Sequence, residues 1–276
     1  MNEIAITGST GHVGSLIAAK LADLQPTLVV RDAARAPRVP GARVVVTDYA
    51  DASGSVRALE GVDVLFMVSA SESMFRRVHH RTFIEAAATA GVRHIVYTSS
   101  FAAHPRAVFI PGRDHADAEA TIAASGMDFT ILRDNFYSDL LPYFADDSGV
   151  IRGPAGDGRV AAVARADVAD VAAEILRNCE AHAGVTYELT GPEALTLHEI
   201  AARAGPILGR PLTYCPETTE EAYASRAHHG AEPWQLDAWV SSYTAIADGE
   251  TERVTDDIER LTGHPARTIE DALVGR

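Results

Sequence analysis

The stretch Thr7-Gly8-Ser9-Thr10-Gly11-His12-Val13-Gly14 carries the first chemistry legible in the chain. Its glycines are spaced GxxGxxG and follow the apolar run Ile4-Ala5-Ile6. Glycines at such a junction permit a tight turn and a close backbone approach to a pyrophosphate, and a helix starting there offers unpaired N–H groups and a partial positive charge. Gly8, Ser9, Thr10, Gly11, His12, Val13 and Gly14 are therefore the expected dinucleotide cradle, with Gly14 letting the helix lie close to the strand. A glycine-capped turn between ordinary elements would use the same residues. The motif's place, after a strand and before an amphipathic helix, favours binding. Further on, Val29-Val30-Arg31-Asp32 closes the next apolar run. An arginine suits a 2′-phosphate, whereas a carboxylate suits free ribose hydroxyls. Arg31, with Arg35 close by, points to NADP(H). Asp32, one residue along, keeps NAD(H) as the alternative, and a solvated surface arginine is the plain reading of Arg31.

A third observation is something missing. Of the 24 Lys and Arg residues only Lys20 is a lysine, and the sequence contains no Tyr-x-x-x-Lys. A lysine in that position lowers the pKa of the tyrosine that acts as general acid or base in ordinary alcohol and ketone dehydrogenation. That chemistry is disfavoured here.

These residues need elements to hold them. A chain of 276 residues, 47% hydrophobic and 22% charged, can bury a large core without disulfides or metal. Cys179 and Cys215 form no CxxC pair, so neither a zinc site nor any other metal site is expected, and a reducing cytoplasm fits. The apolar run at residues 4–6 is too short for a signal peptide, and no run of about 18 apolar residues predicts a membrane span. A formal net charge of −14 repels phosphate backbones and anionic lipid, so neither nucleic acid nor membrane is an expected partner.

Strand-like and helix-like segments alternate along the first half, as in a doubly wound parallel sheet. Strands are expected at 2–7, 27–30, 43–47, 63–68, 94–98 and 129–132, and helices at 12–24, 53–59, 74–90 and 115–124. Beyond Arg133 the rhythm weakens. Residues 135–144 read as an aromatic-rich loop with a short helix, and 149–163 as short strands around a glycine-rich turn. Helices are expected at 166–177 and 196–204, the second opened by a Thr196/Glu199 capping box, with a strand at 185–189. The expected fold is α/β: a Rossmann-type doubly wound parallel sheet over 1–134 and 159–190, with a smaller C-terminal α/β substrate domain over 135–158 and 191–276. The run Gly153-Pro154-Ala155-Gly156-Asp157-Gly158 looks like a second phosphate loop, but no long helix follows it, so it is expected to be a turn. His79-His80 and His228-His229 are adjacent pairs whose side chains would diverge on a helix.

The TGxTGxxG loop, "VVRDAAR", "TDYAD", "VYTSS" and "DFTILRDNFYSD" together resemble atypical short-chain dehydrogenases of the NmrA-like group. With "GPAGDGRVAAVARADVADVAA" and "LTGHPARTIEDAL", the resemblance runs nearly end to end and narrows to bacterial NADPH:quinone oxidoreductases of the second type. It implies that Asp48 and Tyr49 lie in the adenine contact region and that Ser69 and Ala70 pass near the ribose. It also implies that residues 135–140, with Asn135, Phe136 and Tyr137, close over the nicotinamide end, and that Arg165 returns to the cofactor. Each has a plain alternative: Asp48 as a turn residue, Ser69 as a strand-end cap, Arg165 as an ion-pair partner. Where near relatives carry a lysine after HxxxE, this sequence reads His115-Ala116-Asp117-Ala118-Glu119-Ala120.

A quinone accepts hydride readily, and its reduction needs mainly the positioning of two rings. The candidate proton-handling groups are Ser99 and Ser100 at the end of a strand, His115, and Tyr137; Phe101, Phe136, Tyr137 and Tyr143 are candidates for an aromatic wall. The plain alternatives are core aromatics and a His115 that only caps a helix. The leading expectation is an NADPH-dependent reductase of a quinone or similar flat electrophile. The competing one is an NADP(H)-sensing regulator acting through a protein partner. A third is a specialised biosynthetic reductase or isomerase. A homodimer is left open.

Overall fold

Short β-branched runs alternate with amphipathic ones, and most become the element their period dictates. In the computed structural model, which describes residues 3–275, the first half runs β1 (Ile4–Thr7), α1 (His12–Lys20), β2 (Thr27–Val30), β3 (Arg43–Val46), α2 (Ala52–Ala58), β4 (Val64–Met67), α3 (Arg76–Ala90), β5 (His94–Ser100), α4 (Ile110–Ala124) and β6 (Asp128–Asp134). Then follow β7 (Val150–Gly153), β8 (Arg159–Val160), α5 (Arg165–Arg177), β9 (Val185–Leu189), β10 (Leu195–Thr196), α6 (Leu197–Ile207), β11 (Thr213–Pro216), α7 (Thr219–Arg226), α8 (Pro233–Ala247), α9 (Asp257–Thr262) and α10 (Ile269–Val274). Asn2, where the pattern begins the first strand, lies outside the described residues. No helix among the described residues is long and apolar enough to cross a membrane.

Several boundaries differ from the pattern. The first helix stops at Lys20 rather than continuing to residue 24; a short 3-10 turn follows, and Gln25 takes a left-handed φ of 50° just before Pro26. Proline disfavours the helical region for the residue before it. The fourth helix starts at Ile110, earlier than residue 115, because Pro111 occupies its first turn, where the missing N–H costs no hydrogen bond. Strands β5 and β6 each run two residues beyond their apolar patterns, which brings polar side chains into buried positions.

The chain divides into two compact units. The first comprises the described residues up to Ser99, Asp114–Arg133 and Val168–Tyr187. It holds a seven-stranded sheet in the order β3-β2-β1-β4-β5-β6-β9, and the pairings of β1 with β2 and β4, β2 with β3, and β4 with β5 are parallel. All four residues of both β1 and β4 are buried, as central strands of a doubly wound sheet require. Its core gathers Leu65, Met67, Phe83, Ile84, Ile95, Tyr97, Ile122 and Ile131. Removing a single such side chain from water is worth about 1.5–3 kcal/mol.

The second unit comprises Ser100–Arg113, Asp134–Asp167 and the chain from Glu188 onward. It contains two small sheets, β8 with β10 antiparallel and β7 with β11 parallel, and a core that includes Leu141, Ile151, Val160, Ile200, Tyr214 and Ile246. The Thr196/Glu199 capping box opens α6 as expected. The run 153–158 is a turn into β8. Tyr214 pins it by donating to the Gly153 carbonyl at 2.6 Å and accepting from the Ala155 N–H at 3.0 Å.

Candidate functional site

In a doubly wound sheet, ligands bind outside the carboxyl ends of the strands where the order reverses. Here β1 lies between β2 and β4, so the reversal falls at the ends of β1 and β4. The GxxGxxG loop leaves β1 at that point. Gly8 has φ +63°, and a Cβ there would lie 2.7 Å from the Val68 Cβ. At Gly14 a Cβ would fall 2.3 Å from the Gly8 carbonyl oxygen, so glycine is required where the helix passes over its own loop. The loop is also tied to the end of β4, because Thr7 Oγ1 accepts the Val68 N–H at 2.9 Å. Gly11 is the N-cap of α1 and supplies no side chain to its first turn. Ser9 is fully buried, and its Oγ has no hydrogen-bond partner among the described residues. An orphaned hydroxyl in a glycine cradle at a helix N-terminus fits an anionic group such as pyrophosphate. Thr10, Gly11 and His12 are exposed, whereas Val13 and Gly14 are buried.

At the end of β2, Arg31 is exposed and joins no ion pair among the described residues. Asp32 is spent locally: its Oδ1 accepts the Ala34 N–H at 2.9 Å and caps a short turn. After β3, Asp48 likewise closes a turn, accepting from the Ala50 N–H at 2.9 Å. The Tyr49 ring stacks on Phe83 at 4.1 Å, and its hydroxyl lies 2.7 Å from the Val68 carbonyl and 2.6 Å from Thr7 Oγ1. Burial raises its pKa. The Tyr49 hydroxyl is thus engaged inward, bracing the β1 and β4 ends that carry the cradle.

The loop after β4 is fixed by a network that sequence patterns do not reveal. Ser69 N–H donates to Thr98 Oγ1 at 3.0 Å, and Ala70 N–H donates to His80 Nε2 at 2.9 Å. Arg76, itself buried, donates from Nε to the Ala70 carbonyl at 2.8 Å and from Nη2 to His115 Nε2 at 3.0 Å. A guanidinium has no acceptor, so His115 carries its hydrogen on Nδ1 and donates to the Tyr97 hydroxyl at 3.0 Å. Burial and the Arg76 charge hold His115 well below its ordinary pKa and lower His80 to about 3. His115, expected as a proton-handling group, lies buried within this network. Both ring nitrogens are engaged in the interior, and the ring is neutral, so it positions the 69–70 loop through Arg76.

Ser99 is also held by a neighbouring side chain. Its hydroxyl donates to Glu119 Oε1 at 2.5 Å, and Glu119 takes a bidentate pair of bonds from Arg133 at 2.9 and 2.6 Å. Glu119 is the acid of the His115-x-x-x-Glu119 spacing, which places both side chains on one helix face.

The remaining expected residues lie in the second unit. Asn135 donates to the Thr251 carbonyl at 2.9 Å and accepts the Phe136 N–H at 2.8 Å. Phe136 packs edge-on against Phe109 at 5.1 Å. Arg165 pairs with Asp139 at 2.7 Å, and its guanidinium carbon lies 6.0 Å from the Tyr137 ring centroid. Tyr137, half-buried, has its hydroxyl 3.0 Å from Oδ2 of the buried Asp134. Burial raises the Asp134 carboxyl to about 8 and pushes the Tyr137 phenol well above its ordinary value. Asp134 escapes sequence reading because the apolar pattern ends at Leu132, which leaves the acid in an apparent loop.

A doubly wound sheet with a glycine cradle at its reversal point defines a nucleotide-binding α/β protein of Rossmann type. The match is specific: a family model described as NAD(P)H-binding fits residues 8–179, and the chain belongs to that family. It is 32% identical to quinone oxidoreductase 2 of Escherichia coli, covering 98% of this chain and 97% of that protein. It is 36% identical to a (4-alkanoyl-5-oxo-2,5-dihydrofuran-3-yl)methyl phosphate reductase of Streptomyces griseus, covering 97% and 95% of the two chains. The crystal structure of the E. coli NADPH-dependent quinone oxidoreductase complexed with NADPH superposes with a TM-score of 0.88 over 99% of both chains at 32% identity. The resemblance to the NmrA-like quinone oxidoreductases is borne out.

Proposed function

We propose that this protein is an NADPH-dependent oxidoreductase that delivers hydride to a quinone or similar flat electrophile. The observation that carries the cofactor reading is the cradle: buried, unpartnered Ser9 Oγ within a loop whose Gly8 and Gly14 tolerate no Cβ. Gly8, Ser9, Thr10, Gly11, His12 and Val13 would hold the pyrophosphate. Arg31 would hold the 2′-phosphate, a reading favoured because Asp32 already serves its own turn. Asp48 with Tyr49 would border the adenine, and Ser69 with Ala70 the ribose. Residues 135–137 and Arg165 are assigned to the nicotinamide end. Full-length likeness to a quinone oxidoreductase supports the acceptor class. The bound dinucleotide supplies the hydride; the chain supplies placement, and with no Tyr-x-x-x-Lys in the sequence its proton must come from elsewhere.

Purified protein is mixed with NADPH and a panel of quinones, and loss of reduced-nicotinamide absorbance is followed. Turnover supports the reading. Tight NADP(H) binding with no turnover of any acceptor refutes it in favour of the regulator. Arg31→Glu should weaken NADPH binding at least tenfold and NADH binding by less than twofold; equal losses would displace the 2′-phosphate from Arg31.

A further inference from the structure

We infer that Asp134 and Tyr137 form a proton-holding pair, in which Asp134 rests as a neutral acid and restocks the Tyr137 hydroxyl after it gives its proton to the reduced substrate. The inference rests on the reductase reading above. The geometry is specific. Asp134 closes β6 at 6% exposure, and its Oδ1 has no hydrogen-bond partner among the described residues. Its other oxygen meets Tyr137 at 3.0 Å. A buried, unpaired carboxylate is costly, and the carboxyl avoids that cost by keeping its proton. In the structure the Tyr137 hydroxyl donates to Oδ2; with the proton on Oδ2, Asp134 donates across the same contact to the phenolic oxygen, which frees the phenolic hydrogen to point away from β6. Tyr137 is the more exposed partner and so the one that can meet a ligand.

The charged groups around the pair act on the Tyr137 phenol in both senses, and a neutral Asp134 removes one of the opposing charges. Arg165, which lies over the Tyr137 ring, favours a transient phenolate. Asp139 opposes it, but Arg165 is its ion-pair partner at 2.7 Å. On Asp134 itself burial raises the pKa and the bond from Tyr137 lowers it, burial being the larger effect. The balance closes as follows. Hydride from a reduced nicotinamide brings two electrons and one hydrogen to the quinone, leaving a hydroquinone monoanion. The Tyr137 O–H bond breaks as the second hydroquinone O–H forms. The Asp134 O–H then breaks as the Tyr137 O–H re-forms, and water reprotonates the Asp134 carboxylate. Asp134 acts through Tyr137 and touches no substrate.

The test has two independent readouts on the full chain. In protein labelled with 13C at aspartate carboxyls, one resonance should titrate near pH 8, far above the rest, and Asp134→Asn should remove it. A carboxyl set that has fully ionised by pH 6 overturns the inference whether or not the protein turns over. For quinone reduction by NADPH, kcat should fall across the same pH range. Asp134→Asn should abolish that pH dependence and lower kcat about tenfold with the NADPH Kd within twofold of the parent, and Tyr137→Phe should lower kcat about 10²-fold. Asp134→Glu should restore part of the rate and a pH-dependent limb. Turnover with the same pH profile in parent and Asp134→Asn overturns the relay. Absence of turnover in the parent refutes the reductase reading and with it the proton's destination, while the resonance near pH 8 alone decides whether the pair holds a proton.

Discussion

Replacing Gly14 with alanine isolates what the cradle contributes. The added Cβ would sit 2.3 Å from the Gly8 oxygen, 2.5 Å from the Gly8 carbonyl carbon and 2.9 Å from the Ser9 nitrogen. Non-bonded contact needs about 3.5 Å, so loop and helix must separate by about 1 Å, and every atom in the way is backbone. The cost to stability is about 1–3 kcal/mol. The cost to binding is separate, because the displaced backbone carries the N–H groups aimed at the pyrophosphate. Losing one charge-assisted bond, about 2 kcal/mol, weakens NADPH roughly 30-fold. Gly61→Ala is the control: unlike Gly14, Gly61 has a positive φ, +78°, and nothing among the described residues lies within 4 Å of its Cβ position. It should lose about 1–2 kcal/mol through backbone strain alone. Calorimetry gives both numbers: similar losses of Tm, but a raised NADPH Kd in Gly14→Ala only. A folded Gly14→Ala protein that binds NADPH within threefold of the parent would refute the cradle argument.

Further outcomes follow from the buried groups. His80 is neutral in the fold down to about pH 3 but titrates near 6.5 when unfolded. The unfolded state therefore binds the extra proton between those values, and stability present above pH 6.5 is lost on acidification, by about 3 kcal/mol at pH 4. His80→Gln, whose amide oxygen can still accept the Ala70 N–H, should flatten that loss in urea unfolding; an unchanged acid slope would mean that His80 is not held neutral. Asp134 runs the other way. Its folded pKa is raised to about 8 from an ordinary 3.8, so the folded state binds more protons between those values and stability falls as pH rises through the window. The stability gained by Asp134→Asn over the parent should grow by about 1.4 kcal/mol per pH unit between pH 5 and 7; a constant difference would refute the raised value. Thr196→Ala should cost about 1 kcal/mol by removing the cap that accepts the Glu199 N–H at 3.1 Å, with NADPH affinity unchanged.

Local periodicity and turn chemistry made much legible from residues alone. Gly8, Gly11 and Gly14 mark a backbone task that few residues other than glycine perform, so the cradle is readable in one line of sequence. So are the alternating elements, the Thr196 capping box and the turn at 153–158, because each depends on neighbours in the chain. That Lys20 is the one lysine, with no tyrosine four residues before it, is likewise a fact of sequence. Tertiary structure decided which polar side chains face ligand and which face one another. Arg76, His80, Tyr97 and His115 come from two helices and a strand, and they meet only when the sheet is assembled. That meeting turns a histidine expected to carry protons into a neutral brace. Ser99 is taken by Glu119 in the same way. Asp134 is the converse: in sequence it follows a strand, and in the fold two added strand residues bury it behind Tyr137. Hydrogen-bond partners and pKa values depend on what packs around a group, and a linear pattern of residue types does not contain that information.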